Sequence, residues 1–290
     1  TIRVSMLVPG MAMSQPRHIE QAFWLHPQLP HIELRSTQHS DRAYKLHSHP
    51  SLSIGAIVSG NTLVTYQNKE YTLQPGQLIF IGPDELHSCN PPVGQSRSYH
   101  MLYLEKNWCL QQLSQLYAQP IQQLHYQPVI VADPLLFARY LSFVAMLQQS
   151  EQPCSIAEAT SFLLTLLDHG HHTASEPVAE NEAVRFLRQR LLQDLSSKPS
   201  LQELADELLL SKETLIRLFK KAVGISPMAF ADNARITLAK ALLRDGMPIT
   251  DVAQATGFSD QSHFHKAFTA YTTATPGQYQ QARSIFDNIR

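Results

Sequence analysis

From Leu52 onward, apolar residues come in short runs cut by turn residues. Leu52 to Ser59 ends at Gly60. Leu63 to Tyr66 and Tyr71 to Leu73 flank the polar turn Gln67-Asn68-Lys69-Glu70, and Pro75-Gly76 opens another turn. Gln77 to Ile81 stops at Gly82-Pro83, and Arg97 to Leu104 follows. Short strands between Gly, Pro and Asn turns at this spacing predict a small barrel or jelly roll. At Asp133-Pro134 the texture changes, with Pro at a first helical position. Leu135, Leu136, Tyr140, Phe143, Val144 and Leu147 then recur at helical spacing. A second helical run, Ile156 to Leu167, follows Pro153. Asp168 to Glu180, with Gly170, Pro177 and three His, reads as a linker, and the chain beyond it reads as helical.

That helical part contains a duplication. Leu201, Leu204, Ala205 and Leu208 sit at offsets of three, four and seven, and Ile249, Val252, Ala253 and Thr256 repeat them 48 residues later. Each set makes one face of a short helix. A turn follows, Leu209-Leu210-Ser211 or Gly257-Phe258-Ser259. Leu215, Leu218 and Phe219 then match Phe264, Ala267 and Phe268, now 49 residues apart, as do Ser226-Pro227 and Thr275-Pro276. Two short helices joined by a tight turn make a helix-turn-helix. Ala205 and Ala253 let the second helix cross closely. Ser211 is placed to cap the first recognition helix, and Ser259 or Asp260 the second. Ser226-Pro227 starts a long helix to about Leu243, ended by Asp245-Gly246. At roughly 25 Å it can hold two recognition helices about one DNA turn, ~34 Å, apart.

Composition adds boundaries. A chain of 290 residues exceeds one average domain and suggests two. No stretch reaches the roughly 18–20 uninterrupted apolar residues of a membrane helix, and Thr1 to Gly10 lacks the pattern of a secretory signal. A cytoplasmic location is expected. Cys89, Cys109 and Cys154 agree, being odd in number, far apart and without a Cys-x-x-Cys pair. Residues 1–179 carry 9 Lys and Arg against 12 Asp and Glu, and residues 180–290 carry 14 against 12. That asymmetry has the sign of an effector domain followed by a DNA-binding domain.

The segments LQELADELLLSKETLIRLFKKAVGISP and ITDVAQATGFSDQSHFHKAFTAYTTATPGQY resemble the AraC/XylS family of transcription regulators over about residues 182–283. The resemblance places base contacts on Glu213, Thr214, Ile216 and Arg217 in the first recognition helix. In the second it places them on Gln261, Ser262, His263, His265 and Lys266. Arg217 and Lys266 suit guanine and Gln261 adenine, while Lys220 and Lys221 suit phosphates. Polar residues on a solvent-facing helix side need no ligand, which is the alternative for each. Leu209 stands where the first turn often has Gly, so a looser turn is expected there. Thr269 and Thr272-Thr273 replace the usual basic and glycine residues. Glu213 and Ile216 are poor donors to bases, although Ile216 suits a thymine methyl, so the second unit is expected to carry more of the polar readout.

HSHPSLSIGAIVSG and PGQLIFIGPDELHSCNP resemble the cupin-type effector domain of many such regulators, over about residues 42–105. In metal-binding cupins two His, an acid and a third His surround a divalent ion. His47, His49 and His87 match the three His, but Ser51 and Ser53 stand where the acid would be sought. Three readings stay open: polar contacts to an organic effector, structural residues at the barrel mouth, or a metal site, since three imidazoles can hold Zn²⁺. Cys89 reads as a buried, inert thiol rather than a redox centre. The tract His169, His171 and His172 reads as solvated linker rather than a metal site. The resemblance implies that the helices at 133–168 form a dimerisation hairpin, and the Leu136, Tyr140, Phe143 and Leu147 face suits that. It equally suits covering the barrel.

The expected architecture is α+β and multidomain. Residues 1–132 form a cupin-like β-barrel, 133–168 a helical hairpin, 169–181 a linker, and 182–290 an all-α domain with two helix-turn-helix units. The expected function is sequence-specific transcription regulation under an effector bound in the barrel. The alternative is a metal sensor or cupin metalloenzyme fused to a DNA-binding domain. The missing carboxylate and the lack of another acid–base pair disfavour catalysis, so no catalytic residue, cofactor or metal is assigned. The expected partners are double-stranded promoter or operator DNA, a small-molecule effector, a second copy in a homodimer, and RNA polymerase, with no membrane.

Overall fold

The computed structural model describes residues 21–26, 28–66, 69–124, 126, 129–148, 155–170, 181–197 and 199–287. Thr1 to Gly10, Pro153, Cys154, His171, His172 and the span 171–180 read as linker lie outside the described residues.

The N-terminal half builds nine strands: β1 (Gln21–His26), β2 (Leu29–Ser40), β3 (Leu52–Ser59), β4 (Thr62–Tyr66), β5 (Lys69–Leu73), β6 (Leu78–Ile81), β7 (His87–Asn90), β8 (Arg97–Leu104) and β9 (Val129–Val131). They form two antiparallel sheets that face each other across the barrel, one ordered β1-β2-β8-β3-β6-β9 and the other β5-β4-β7. Consecutive side chains of a strand point to opposite faces, and the larger sheet uses both. Leu52, Ile54, Ala56, Leu78, Phe80, Leu102 and Leu104 join a core with the helices. Their neighbours Ile57, Ile79, Ile81, Tyr99 and Met101 meet Val64, Tyr66 and Leu73 of the smaller sheet. Burial on both faces is why Leu52 to Ser59 reads as a near-continuous apolar run.

Three helices cover the outer face: α1 (Lys106–Leu116), α2 (Pro134–Gln148) and α3 (Ile156–Gly170). Asp133 caps α2 through Leu135 and Leu136 amides. The α2 residues read as a dimer face are spent inside the protomer. Leu136, Tyr140, Phe143, Val144 and Leu147 are buried in the sheet–helix core, the Tyr140 hydroxyl donates to the Ile54 carbonyl, and Phe143 packs on Phe162. Covering the barrel is therefore what this face does. Asp168, His169 and Gly170 continue α3 instead of starting a linker, with His169 stacked on Phe80.

The C-terminal part comprises α4 (Glu182–Gln193), α5 (Leu201–Glu207), α6 (Lys212–Val223), α7 (Pro227–Arg244), α8 (Ile249–Ala255), α9 (Gln261–Thr272) and α10 (Pro276–Asp287). Its two cores follow the sequence repeat. Leu204, Ala205, Leu215 and Phe219 pack with α4, and Val252, Ala253, Phe264 and Phe268 pack with α7 and Tyr279. No helix among the described residues is long and apolar enough to cross a membrane.

Candidate effector pocket and DNA-reading helices

The two helix-turn-helix units close their turns with the same bonds. Leu209 N donates to Asp206 O and Leu210 N to Ala205 O; Gly257 N donates to Gln254 O and Phe258 N to Ala253 O. Leu209 adopts the left-handed conformation (φ 55°) that Gly257 adopts at φ 70°. The first turn is thus as tight as the second, against expectation, and its Leu bears the strain. Ser211 caps α6 through Thr214 N, and Asp260, not Ser259, caps α9 through His263 N.

Glu213, Arg217, Lys220 and Lys221 are exposed on α6, as are Gln261, Ser262, His263 and Lys266 on α9, while Thr214, Ile216 and His265 are half-buried. Three of the expected readers have local roles. Ile216 packs against the first unit's core, Thr214 accepts a bond from the Ser211 hydroxyl, and the His263 ring stands edge-on to Phe258.

Between the two sheets lies a pocket lined by Tyr44, His47, His49, Ser53, Ile57, Thr62, Val64, Leu73, Ile79, His87, Cys89, Arg97, Tyr99, Met101 and Tyr103. All three singled-out histidines line it. His47 and His87 lie 40 residues apart in sequence and are joined by a reciprocal backbone bridge, His47 N to His87 O at 2.9 Å and His87 N to His47 O at 2.8 Å. Nδ1 of His47, His49 and His87 lies 2.7, 3.1 and 2.8 Å from the carbonyls of Lys45, Ser51 and Glu85. A carbonyl can only accept, so each Nδ1 holds the proton and each Nε2 keeps its lone pair. Burial, with His87 adding to it, pushes His47 down to about 3. Burial likewise pushes His87 down to about 4 and His49 well below its ordinary value. At neutral pH the cluster is three neutral imidazoles. Burial also pushes the Cys89 thiol up to about 11, which makes it inert.

That donor set fits a divalent metal in chemistry and, with some closure, in geometry. One ligand atom from each ring lies within 4.8 Å of the others, whereas tetrahedral nitrogens ~2.0–2.1 Å from Zn²⁺ stand about 3.3 Å apart. The Nδ1–carbonyl bonds are the outer contacts that orient metal-bound imidazoles. The serines at the acid positions instead bond His49, Ser51 at Nδ1 and Ser53 at Nε2.

A polar seam joins the β-domain to the second helix-turn-helix unit. Buried Arg35 of β2 donates to Thr272 O at 2.7 Å and Thr273 Oγ1 at 2.6 Å, at the C-terminal end of α9. Lys45 N donates to Ala270 O. Asn233 of α7 donates to Ser48 O, between His47 and His49. Glu33 of β2 accepts from Tyr279 at 3.1 Å and pairs with Arg244 and Lys240. Phe23 of β1 packs edge-on against Tyr279. Sequence alone marks Arg97 only as the start of a strand and gives no functional role to Glu33, Arg35, Tyr44, Tyr99 or Tyr103. For those inside strands, the signal is a polar or aromatic residue within a strand-like run.

The sequence profile described as AraC-like ligand binding domain matches residues 29–167, and the one described as helix-turn-helix domain matches residues 204–282. The chain is 28% identical to the HTH-type transcriptional regulator YbfI of Bacillus subtilis, over 82% of this chain and 87% of that protein. It is 25% identical to the HTH-type transcriptional activator RhaR of Escherichia coli O139:H28, over 83% and 88%. The crystal structure of ToxT from Vibrio cholerae O395 superposes with a TM-score of 0.55 at 12% identity, covering 93% of this chain and 99% of ToxT. An unsaturated fatty acid-bound ToxT superposes at 0.53 and 15% identity, covering 83% and 91%. The likeness to ToxT is one of fold. With an AraC-like ligand-binding domain ahead of two helix-turn-helix units, this chain belongs to the AraC/XylS family of transcription regulators.

Proposed function

We propose that pocket occupancy in this regulator controls how the second reading helix is presented to DNA. The segment Tyr44–His49 carries the proposal. Its Tyr44, His47 and His49 side chains line the pocket, and its Lys45 and Ser48 backbone groups hold α9 and α7. A ligand that moves this wall therefore acts on the DNA-binding domain, provided it binds the two arrangements with different affinity. The effector is an organic molecule contacting His47, His49 and His87. The protein works in the cytoplasm as a non-enzymatic homodimer on operator DNA and communicates with RNA polymerase. A dimer contact lies outside the buried α2 face. Arg217, Gln261 and Lys266 read bases, and Lys220 and Lys221 contact phosphates. Residues 1–132, 133–168 and 182–290 act as barrel, cover and DNA-binding domain.

Selection of genomic fragments by the full chain, followed by footprinting, tests the reading. Protection over about two helical turns is expected, and protection of a single groove contradicts use of both units. A second reading, a metal-responsive pocket, is favoured by the Nε2 lone pairs of His47 and His87, and by that of His49 if it exchanges its bond from Ser53 for the metal. Metal analysis decides between them: stoichiometric Zn²⁺ or Ni²⁺, with loss of the DNA response on chelation and its return on re-addition, replaces the organic effector.

A further inference from the structure

The pocket holds a buried charge that no acid among the described lining residues balances. Arg97, at the start of β8, is 2% exposed. Its Nη2 donates to Cys89 O at 2.5 Å, but its Nη1, buried, has no hydrogen-bond partner among the described residues. Thr62 at the start of β4 is 1% exposed, and its hydroxyl is likewise unpartnered. Both residues line the pocket, and among the described residues no Asp or Glu does. A guanidinium cannot shed its proton at working pH, and a buried charge is costly unless it is paired. The nearest compensation is aromatic: the Arg97 guanidinium lies 4.9 Å from the Tyr99 ring centre and 6.0 Å from that of Tyr44. Burial pushes the Tyr99 phenol up, yet Arg35 and Arg97 more than offset this and hold it below its ordinary value. The pocket is electropositive around Arg97.

Resting on the effector-pocket reading above, we propose that the effector is a small monocarboxylate whose head binds the unpartnered edge of Arg97 and the Thr62 hydroxyl. The donors fit that head. Nη1 offers two N–H groups and Thr62 one O–H, enough for two carboxylate oxygens but too few for a phosphate. Much of the remaining lining is apolar, with Ile57, Val64, Leu73 and Ile79 in position to receive a hydrocarbon tail. The free space is about 30 Å³, which admits two or so waters and sets the scale at a few heavy atoms. Butyrate, with six heavy atoms, exceeds that space, so its entry requires the flexible Met101 thioether, which lines the pocket, to move aside.

The test uses the full chain, stripped of metal on a chelating resin, in low-salt buffer near pH 7. Calorimetric titration with butyrate is compared with its neutral counterpart butyramide and with inorganic phosphate. Saturable butyrate binding is expected, with butyramide much weaker. A charge-assisted hydrogen bond is worth ~1.5–3 kcal/mol, so Arg97→Gln is expected to lose about 10- to 150-fold in butyrate affinity. Arg97→Lys should lose less, and the near-isosteric Thr62→Val several-fold, which keeps the test open if Arg97→Gln fails to fold. Equal affinity for butyrate and butyramide, tighter binding of phosphate, butyrate binding that needs added Zn²⁺, or no binding of butyrate overturns the proposal. If butyramide binds in a manner abolished by Val64→Phe but untouched by Arg97→Gln, the carboxylate assignment fails while the effector pocket stands. If binding is indifferent to both substitutions, the ligand sits elsewhere and both readings fall.

Discussion

Replacing Glu33 with alanine removes one carboxylate and strands three residues of the DNA-binding domain. Glu33 is 5% exposed and faces Tyr279 on α10 and Arg244 and Lys240 on α7. The bond from Tyr279 has a charged acceptor and contributes ~1.5–3 kcal/mol. Arg244 keeps a side-chain exposure of 41%, so its head can turn to water and its loss costs no more than about 1 kcal/mol. Burial, and then Arg35, already hold Lys240 down to about 8, so without Glu33 it escapes by releasing its proton. The sum is about 2–4 kcal/mol of domain coupling, with the Tyr279 bond the largest part. The assay is denaturant unfolding of Glu33→Ala, Tyr279→Phe and the double variant, read as a double-mutant cycle. A coupling energy of at least ~1 kcal/mol and separation of one unfolding transition into two are expected. A loss below ~0.5 kcal/mol for Glu33→Ala, or no coupling in the cycle, refutes the view that Glu33 ties the domains together.

Other consequences follow from single side chains. Leu209→Gly relieves a left-handed Leu, worth ~1–2 kcal/mol, against ~0.5–1 kcal/mol of added unfolded-state entropy; a net gain of about 0.5–1 kcal/mol in denaturant unfolding is expected, and a loss would show that the turn needs the Leu side chain. His47, His49 and His87 have folded pKa values below the ordinary ~6.5, so the unfolded chain takes up protons first. Stability is therefore full above about pH 6.5 and falls as pH drops toward 4, with a slope of up to ~1.4 kcal/mol per pH unit for each histidine. His87→Gln should remove about 2.5 kcal/mol of the acid loss between pH 7 and 4.5, measured by urea titrations over that range; identical profiles contradict the assignment. Arg217→Ala and Lys266→Ala should relax base preference at ~1–3 kcal/mol each, while Lys221→Ala weakens all sequences alike and lowers the salt slope by about 1; three uniform effects in binding selections would mean the reading faces are misplaced.

The C-terminal repeat was legible because burial there follows chain-local rules. The offsets of Leu204, Ala205 and Phe219 recur in Val252, Ala253 and Phe268, and the cores follow them. Strand β3 was legible because both its faces are apolar. Strand β2 was not, since Glu33, Arg35, Ser36 and Thr37 are buried polar residues. Glu33 and Arg35 find partners more than 200 residues away in sequence. Helix α1 escaped notice because only Cys109 and Leu113 mark its buried side. Leu209 hides its turn in the sequence because a left-handed position favours Gly, while the surrounding bonds impose that conformation on Leu. The three histidines were found by their motif, but their common tautomer rests on carbonyls that only the folded backbone supplies.

The β-domain grips the second reading helix at its C-terminal end. Amide hydrogen exchange of residues 268–273 in the full chain, compared between wild type and Arg35→Gln, tests it most directly. Arg35 donates to Thr272 O and Thr273 Oγ1, and charged hydrogen bonds contribute ~1.5–3 kcal/mol each. Exchange at the end of α9 should quicken at least about 10-fold, with the α6 amides unchanged and operator affinity altered. Unchanged exchange at residues 268–273, or equal acceleration in α6 and α9, would contradict the claim.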